Sequence, residues 1–234
     1  GERRWTAPRK DEILKSRLDS TRLLYDVLKH KEHNVKTFIS ASAIGYYGAG
    51  DDSTLFTENH SNGTGFLADV VRQWEQIVDE ISTLGIRVVK IRTGIPLSRE
   101  GGVLKELATP VNFYVGAPLG SGKQVLSWIH IDDLCNIYIK ALEDESMTGA
   151  FNAVAPNPIT NREFIYKLAR AMKKTVIFPP VPAIFLKIMF GEMAELVLEG
   201  AKVSSQKIQS AGYHFKFIHL EDALRDLFHA NSPY

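Results

Sequence analysis

The sequence predicts an α/β fold in which a doubly wound parallel sheet lies between two layers of helices, followed by a small C-terminal α+β segment. The first observation is the order of elements, because helical and strand patterns alternate through the first half of the chain. The second is the strands themselves, whose apolar and β-branched runs are typical of parallel strands covered on both faces. The third is a change of character near residue 155, which divides the chain into domains over residues 1–155 and 156–234.

In the first domain, the apolar spacing predicts each element in turn. Residues at helical spacing predict a helix over 11–31, and an apolar run predicts a buried strand over 35–41. A loop rich in small polar residues follows over 45–65. The remaining elements of this domain are a helix over 66–84, a strand over 86–92, a helix near 103–108, a strand over 125–129 and a helix to about 142 with Asp132 as its N-cap.

The second domain begins with a capping box, Thr160-Asn-Arg-Glu163, which predicts a helix to about residue 172. A short strand is predicted over 175–178, where two prolines end it. An apolar helical stretch covers 183–198 and is interrupted at Gly191. A strand over 214–217 and a helix over 220–228 complete the predicted elements.

The composition excludes several classes of protein. The chain has 234 residues, 44% of them hydrophobic, and a net charge of +1, which gives no electrostatic footprint for nucleic acid or an anionic membrane. No run approaches the ~18 apolar residues that a membrane-spanning helix needs. The single cysteine, Cys135, excludes an internal disulfide, fits a reducing compartment and so favours a cytoplasmic protein. Because Cys135 lies in an apolar helical pattern, we expect a buried thiol.

Polar side chains follow the first predicted strand at its carboxyl end, where open α/β sheets bind their ligands. Ser42 carries a hydroxyl that can hydrogen-bond a substrate carbonyl or alcohol, although a serine there can equally satisfy local backbone groups. Tyr46 and Tyr47 follow in the loop, and a tyrosine in such a place can act as a general acid. The alternative is an aromatic pair that packs the loop onto the helices. These three residues are the candidates for catalysis.

A set of motifs occurs in one order along the chain. They are Arg4-Trp5, Ser40-Ala-Ser-Ala-Ile-Gly-Tyr-Tyr-Gly48, Trp74-Glu75, Arg92-Thr-Gly-Ile-Pro-Leu97 and Ser127-Trp-Ile-His-Ile-Asp-Asp-Leu134. Together they resemble the atypical short-chain dehydrogenase/reductase family of the NAD-dependent epimerase/dehydratase type (SDR39U-like), and the resemblance covers essentially the whole chain. It implies a Rossmann-like domain, an NAD(P) cofactor with NADP preferred over NAD, a small-molecule substrate such as a nucleotide sugar, and a chain able to form a homodimer.

The resemblance also implies which residues contact the cofactor. Arg17 and Glu12 lie on the first helix, which would pass beneath the ribose, although charged residues on a helix more often face solvent. The other implied contacts come from the two strand ends, namely Ala41, Ser42, Arg92, Thr93, Gly94, Ile95 and Pro96. The family's Gly-rich dinucleotide loop does not occur in this sequence. At about 30 residues per βαβ unit, roughly 60 residues would hold it. We expect the sequence to omit them, and the alternative is a protein that is truly short.

The sequence departs from the resemblance at the Tyr-x-x-x-Lys pair that serves the superfamily in proton transfer. In the register fixed by Trp74-Glu75, Leu67 and Val71 stand at these two positions, and neither can transfer a proton. Two hypotheses follow: an NAD(P)-dependent oxidoreductase or epimerase that uses another acid or base, or a non-catalytic NADP(H)-binding sensor or scaffold. His130 beside two aspartates is interpreted as a backbone tie at a helix start, so no metal is expected.

Overall fold

The computed structural model describes residues 4–50 and 53–229. The helices are α1 (Ala7–His30), α2 (Phe66–Glu80), α3 (Gly102–Asn112), α4 (Ile131–Glu143), α5 (Asn161–Ala171), α6 (Ala183–Phe190), α7 (Glu195–Leu198), α8 (Gln206–Ser210) and α9 (Leu220–His229). The strands are β1 (Thr37–Ala43), β2 (Leu55–Phe56), β3 (Arg87–Thr93), β4 (Ile95–Leu97), β5 (Val125–Leu126), β6 (Trp128–His130), β7 (Gly149–Ala153), β8 (Ile159–Thr160) and β9 (Lys202–Val203). None of the described helices is long and apolar enough to cross a membrane.

The main sheet has the strand order β1-β3-β7, and all three strands are parallel. Successive side chains of a strand point to opposite faces. Accordingly, Arg92 of β3 bonds to α2, whereas its neighbour Ile91 packs in a core cluster with Ile137 of α4. Helix α1 packs against α2. The chain therefore forms the predicted three layers, with helices on both faces of a parallel sheet.

Short strands connect the C-terminal region to the first part of the chain. Strand β9 pairs with β2, and β8 pairs with β5. The largest core cluster also includes residues from both sides of the predicted boundary at 155, among them Trp128, Phe164 and Leu224. Each such fully buried side chain contributes about 1.5–3 kcal/mol through removal of apolar surface from water. The division into two domains stays a prediction.

Several predicted elements differ from the structure. Cys135 is exposed, so the buried thiol was wrong: α4 buries Asp133, Ile137 and Ala141 at a spacing of four residues, and Cys135 lies on the opposite side of the helix. The strand over 125–129 is divided into β5 and β6, because each half pairs with a different partner strand. The predicted N-cap was also wrong, since His130 takes that position and its Nδ1 accepts the N–H of Asp132 at 3.1 Å.

The two short strands predicted over 175–178 and 214–217 do not form. Near the second of these, the N–H groups of Lys216 and Phe217 donate to the Asp133 carboxylate instead of to a neighbouring strand. The capping box at Thr160 is confirmed, with both reciprocal bonds present. The interruption at Gly191 is confirmed as well, since α6 ends there and a 3₁₀ turn leads into α7.

Candidate functional site

A cleft opens at the carboxyl ends of β1 and β3. Its volume is about 430 Å³, and several parts of the chain form its wall. The strand ends contribute Ala43 and the residues Thr93, Gly94 and Ile95. Helix α2 contributes its first turns, and the rest of the wall comes from the loop after β1 and from the segments 125–127 and 195–201. This is the position at which open α/β sheets bind ligands.

Gly94 is required where β3 leaves the sheet. A Cβ atom at this position would approach the carbonyl oxygen of Ser127 to 2.3 Å, which no side chain tolerates. The N–H of Ile95 donates to the same carbonyl at 2.8 Å. The end of β3 is therefore held tightly against the chain before β6, and the glycine in the Arg-Thr-Gly motif serves this close approach.

The wall of the cleft is mostly apolar. Leu67 and Val71, the two residues that the register of the Trp74-Glu75 motif predicts at the positions of the superfamily's tyrosine and lysine, both line it. Within the described part of the chain, the only ionisable side chains on this wall are Glu195 and Glu199. The helix therefore brings no proton-transfer group to the cleft, and the C-terminal segment brings two carboxyl groups.

A smaller cavity of about 270 Å³ adjoins the cleft and shares Ala49, Val125, Glu199 and Gly200 with it. Lys123 and Lys202 line this outer cavity. Neither lysine has a carboxylate partner within 4.0 Å among residues 4–50 and 53–229. Two lysines that form no ion pair with the described residues and line one cavity suit an anionic group on a ligand.

A buried ionic network lies between the sheet and α2. Ser42 Oγ donates to Glu75 Oε1 at 2.6 Å, and Arg92 donates to both carboxylate oxygens at 2.8 Å. Ser42, Glu75 and Arg92 are all 5% exposed or less. Lys90 adds a second cation, 3.3 Å from Glu75 Oε2. None of these residues lines the cleft.

The network fixes the ionisation states of its members. Burial alone would raise the pKa of Glu75, but the Arg92 and Ser42 bonds and the charge of Lys90 outweigh it, so the pKa lies below the ordinary value. Burial would likewise lower the pKa of Arg92, yet the Glu75 carboxylate raises it overall. Glu75 is thus a carboxylate at neutral pH, and the Ser42 hydroxyl has its proton committed to it.

The two tyrosines after β1 surround Arg92. The Tyr47 hydroxyl accepts from Arg92 Nη1 at 3.0 Å and donates to Asn152 Oδ1 at 2.7 Å. Burial raises the pKa of Tyr47, with the Arg92 charge opposing it. The Tyr46 ring centroid lies 3.5 Å from the Arg92 guanidinium, a cation–π contact. Neither tyrosine lines the cleft.

The other predicted residues lie in three places. Thr93, Gly94 and Ile95 line the cleft, while Pro96 on β4 and Ala41 on β1 are exposed without lining it. On α1, Arg17 lies over the Trp74 ring at 5.5 Å and Glu12 pairs with Arg9 at 2.6 Å. The structure thus brings one part of the predicted set to the cleft and another into the network behind it. The functional roles of all these residues stay predictions.

Sequence reasoning did not identify Glu75, Asn152, Lys123, Lys202 and Glu199 as site residues. Only Glu75 had a signal, since it belongs to the Trp74-Glu75 motif.

His130 Nδ1 accepts a backbone N–H, and burial lowers the pKa of the ring. Its Nε2 lies 3.4 Å from Asp226, and the ring stacks on Phe217. No group of three metal-ligand side chains occurs in the described part of the chain.

Comparison with known proteins places these features in a family. A family model described as a domain of unknown function (DUF1731) matches residues 181–227. An epimerase family protein of Staphylococcus aureus is 41% identical over 229 residues, which cover 96% of this chain and 75% of the relative.

Two solved structures are similar along nearly the whole chain. Human epimerase family protein SDR39U1 (isoform 2) with NADPH superposes with a TM-score of 0.89 at 30% identity, covering 97% of this chain and 77% of the human one. The nucleoside-diphosphate sugar epimerase of Corynebacterium glutamicum gives 0.78 at 31% identity, covering 97% of this chain and 44% of that protein. With the ordered motifs and the parallel sheet, these similarities show that the chain belongs to the NAD-dependent epimerase family.

Proposed function

We propose that the protein is an NAD(P)-dependent oxidoreductase of the epimerase/dehydratase type, which acts on a carbinol or carbonyl carbon in the cleft at the ends of β1 and β3. The observation that carries this proposal is the cleft itself, because Thr93, Gly94 and Ile95 line it at the ligand-binding edge of a parallel sheet. The NADPH bound to the similar human SDR39U1 supports our preference for NADP.

The wall of the cleft fits the nicotinamide end of an NAD(P) cofactor. When bound, the nicotinamide ring would accept or donate hydride. Leu67, Val71 and Ile95 offer apolar surface that excludes water from a planar ring. Thr93 also lines the cleft, and its hydroxyl donates to the carbonyl of Ile91 at 3.3 Å. We keep Ser42 as a candidate for binding the substrate oxygen, but its proton is committed to Glu75. Ser42 would first have to release that bond before it could donate to a ligand.

For the substrate, we propose a small molecule with an anionic group, in line with a nucleotide sugar. Lys123 and Lys202 in the outer cavity support this class, because their ammonium groups have no carboxylate partner in the described ranges and can bind phosphate oxygens. The Corynebacterium glutamicum neighbour is named a nucleoside-diphosphate sugar epimerase, which points the same way. A ligand that spans both cavities would place its neutral end against Leu67.

Three measurements on the purified full chain test the proposed function. The intact mass establishes the length of the chain in the sample. An NADPH fluorescence titration then measures whether that chain binds the cofactor. Turnover is then followed with NADP⁺ and UDP-glucose, UDP-glucuronate or TDP-glucose, and with NADPH and a small aldehyde. Turnover of any of these supports an enzyme, and a loss of it in Ser42→Ala with unchanged NADPH affinity supports a role for Ser42.

A second candidate function is a non-catalytic NADP(H)-binding sensor or scaffold. It is favoured by Leu67 and Val71, which line the cleft and which the motif register puts where the superfamily's proton-transfer pair would be. Tight NADPH binding without turnover of any tested compound would support this candidate and exclude the first. Association with a partner, including a second copy of the chain as a homodimer, would be measured by light scattering with and without NADPH.

A further inference from the structure

The cleft needs a proton-transfer group if it is to serve carbinol chemistry, and α2 does not supply one. Leu67 and Val71 line the wall where a tyrosine and a lysine would be expected. Tyr46 and Tyr47 are turned towards Arg92. In the part of the chain that the structure describes, the ionisable groups on the wall come from the segment 195–201 alone.

The backbone on both sides of Glu199 is fixed to the first part of the chain. Gln124 Nε2 donates to the carbonyl of Val197 at 2.7 Å, and Ser127 Oγ donates to that of Ala201 at 2.8 Å. The carbonyl of Gly200 accepts from Gly50 at 2.9 Å. These bonds hold Glu199 at the junction of the cleft and the outer cavity, whose walls it shares.

Gly200 makes this approach possible. A Cβ atom at residue 200 would lie 2.2 Å from the carbonyl oxygen of Val125 and 2.8 Å from its nitrogen. No larger residue could bring the segment so close to the chain before β6. The position of Glu199 is therefore set by contacts that reach across the fold, together with the bond of its own N–H to the carbonyl of Glu195 in the short helix that precedes it.

Glu199 is an exposed residue, and its surroundings shift the pKa of its carboxyl upwards. Partial burial has the largest effect, the neighbouring Glu195 raises the pKa further, and Lys187 opposes both. Lys123 and Lys202 are the other charged side chains on the shared cavities. A group works best in proton transfer when its pKa approaches the working pH.

We propose that Glu199 is the catalytic acid–base residue of this cleft and replaces the missing Tyr-Lys pair. The inference rests on the proposed function. In the oxidative direction, the substrate hydroxyl gives its proton to the Glu199 carboxylate. The hydrogen on the carbinol carbon leaves with its bonding electron pair as hydride to NADP⁺, so that an O–H and a C–H bond break and a C=O bond forms. In reduction, the Glu199 carboxyl returns the proton to the carbonyl oxygen.

The test compares Glu199→Gln with two matched variants in the full chain. Glu199→Asp keeps a carboxyl group, and Glu192→Gln changes an exposed glutamate that pairs with Lys10 away from the cleft. With the nucleotide-sugar and aldehyde panel above, Glu199→Gln is expected to lower kcat about 10²–10⁴-fold. NADPH affinity and thermal stability should stay unchanged. Glu199→Asp should recover part of the activity, and Glu192→Gln should retain it.

A readout independent of turnover is the titration of the Glu199 carboxyl, followed by ¹³C NMR. Its pKa should lie above the reference of about 4.3 and fall in Glu195→Gln, because that variant removes a like charge. The ionisation in the pH profile of kcat/KM should move with it. If the parent is active and Glu199→Gln is equally active, the role of Glu199 is overturned while the proposed function stands. A Glu199 carboxyl that titrates at or below the reference pKa has the same consequence. A parent without any turnover overturns the proposed function as well.

Discussion

Removing the Glu75 carboxylate tests whether the buried network holds α2 on the sheet. In Glu75→Ala, the guanidinium of Arg92 loses both of its 2.8 Å bonds to carboxylate, and Ser42 loses its acceptor. Lys90 keeps Asp79 at 2.7 Å, but that aspartate side chain is 58% exposed. Arg92, only 4% exposed, would be left as a buried cation whose remaining partners are the Tyr47 hydroxyl and the Tyr46 ring.

The expected loss follows from this geometry. Breaking a buried ion pair by removing one partner costs about 3–5 kcal/mol, because the other charge stays desolvated. The matched control is Glu80→Ala on the same helix, whose pair with Arg22 at 2.8 Å is partly exposed on both sides. Such surface pairs contribute about 0–1 kcal/mol. The two variants should therefore differ in free energy of unfolding by about 2–5 kcal/mol, from the same two estimates.

Urea denaturation at pH 7, followed by circular dichroism, measures both variants. A Glu75→Ala free energy of unfolding within about 1 kcal/mol of that of Glu80→Ala would refute the reasoning, since it would mean that the network is not worth more than a surface pair. The pH dependence gives a second check. The pKa of Glu75 is lowered by folding, so its contribution is complete above the unfolded value of about 4.3 and is lost as pH falls through the folded value. The difference between parent and variant should therefore shrink below about pH 4.

Three further changes have definite expected outcomes. Gly200→Ala should cost about 1–3 kcal/mol in unfolding free energy, because its Cβ would meet the Val125 carbonyl, whereas Gly101→Ala, with open space, should cost less; equal thermal midpoints would contradict this. Thr160→Ala should cost about 0.5–2 kcal/mol by removing the capping box, as measured by urea denaturation, and a neutral result would argue against the cap. Lys202→Glu should weaken the binding of UDP-glucuronate, measured by calorimetry, about tenfold or more, which is about 1.4 kcal/mol. An unchanged affinity would mean that the anionic group of the ligand does not bind in the outer cavity.

The layers of the fold could be predicted because the local signals agree with them. Strands β1 and β3 contain apolar and β-branched residues next to strong helical patterns, and the capping box marks the start of α5 without ambiguity. Strand β7 was not predicted, because its five residues Gly-Ala-Phe-Asn-Ala carry little strand propensity. It belongs to the sheet because β3 offers it a parallel partner, which is a contact between distant parts of the chain.

The edge of the sheet that holds the site could also be predicted, but the orientation of its side chains could not. The motif after β3 led to Thr93, Gly94 and Ile95, and these residues do line the cleft. Ser42, one strand away, was a candidate for binding a ligand, with a bond to local backbone groups as the alternative. In the structure its hydroxyl bonds to Glu75, a partner that neither interpretation named. A strand end fixes where a residue lies, whereas the partner of its side chain depends on the helix that covers the strand.

The buried network did leave a trace in the sequence. Strand β3 alternates, with Val89 and Ile91 on one face and Lys90 and Arg92 on the other. Two cations two residues apart in a covered strand require carboxylates from the covering helix, because unpaired buried charges are too costly. On α2, Glu75 and Asp79 are four residues apart and so share one face. The structure shows that the cations of β3 pair with these carboxylates of α2. This pairing could have been predicted from the periodicity of the strand and of the helix.

No such periodicity leads to Glu199. Its neighbours in sequence form a single turn of helix, and nothing in that turn indicates that the chain then passes over β5 to the mouth of the cleft. The passage depends on a glycine that fits against one carbonyl and on side-chain bonds from Gln124 and Ser127, about 75 positions earlier in the chain. The distance in sequence between Glu199 and the residues that hold its segment explains why one half of the site could be predicted and the other could not. The half of the site built by strands is encoded locally, whereas the half that would carry the proton is encoded only by the folded arrangement of the C-terminal segment on the sheet.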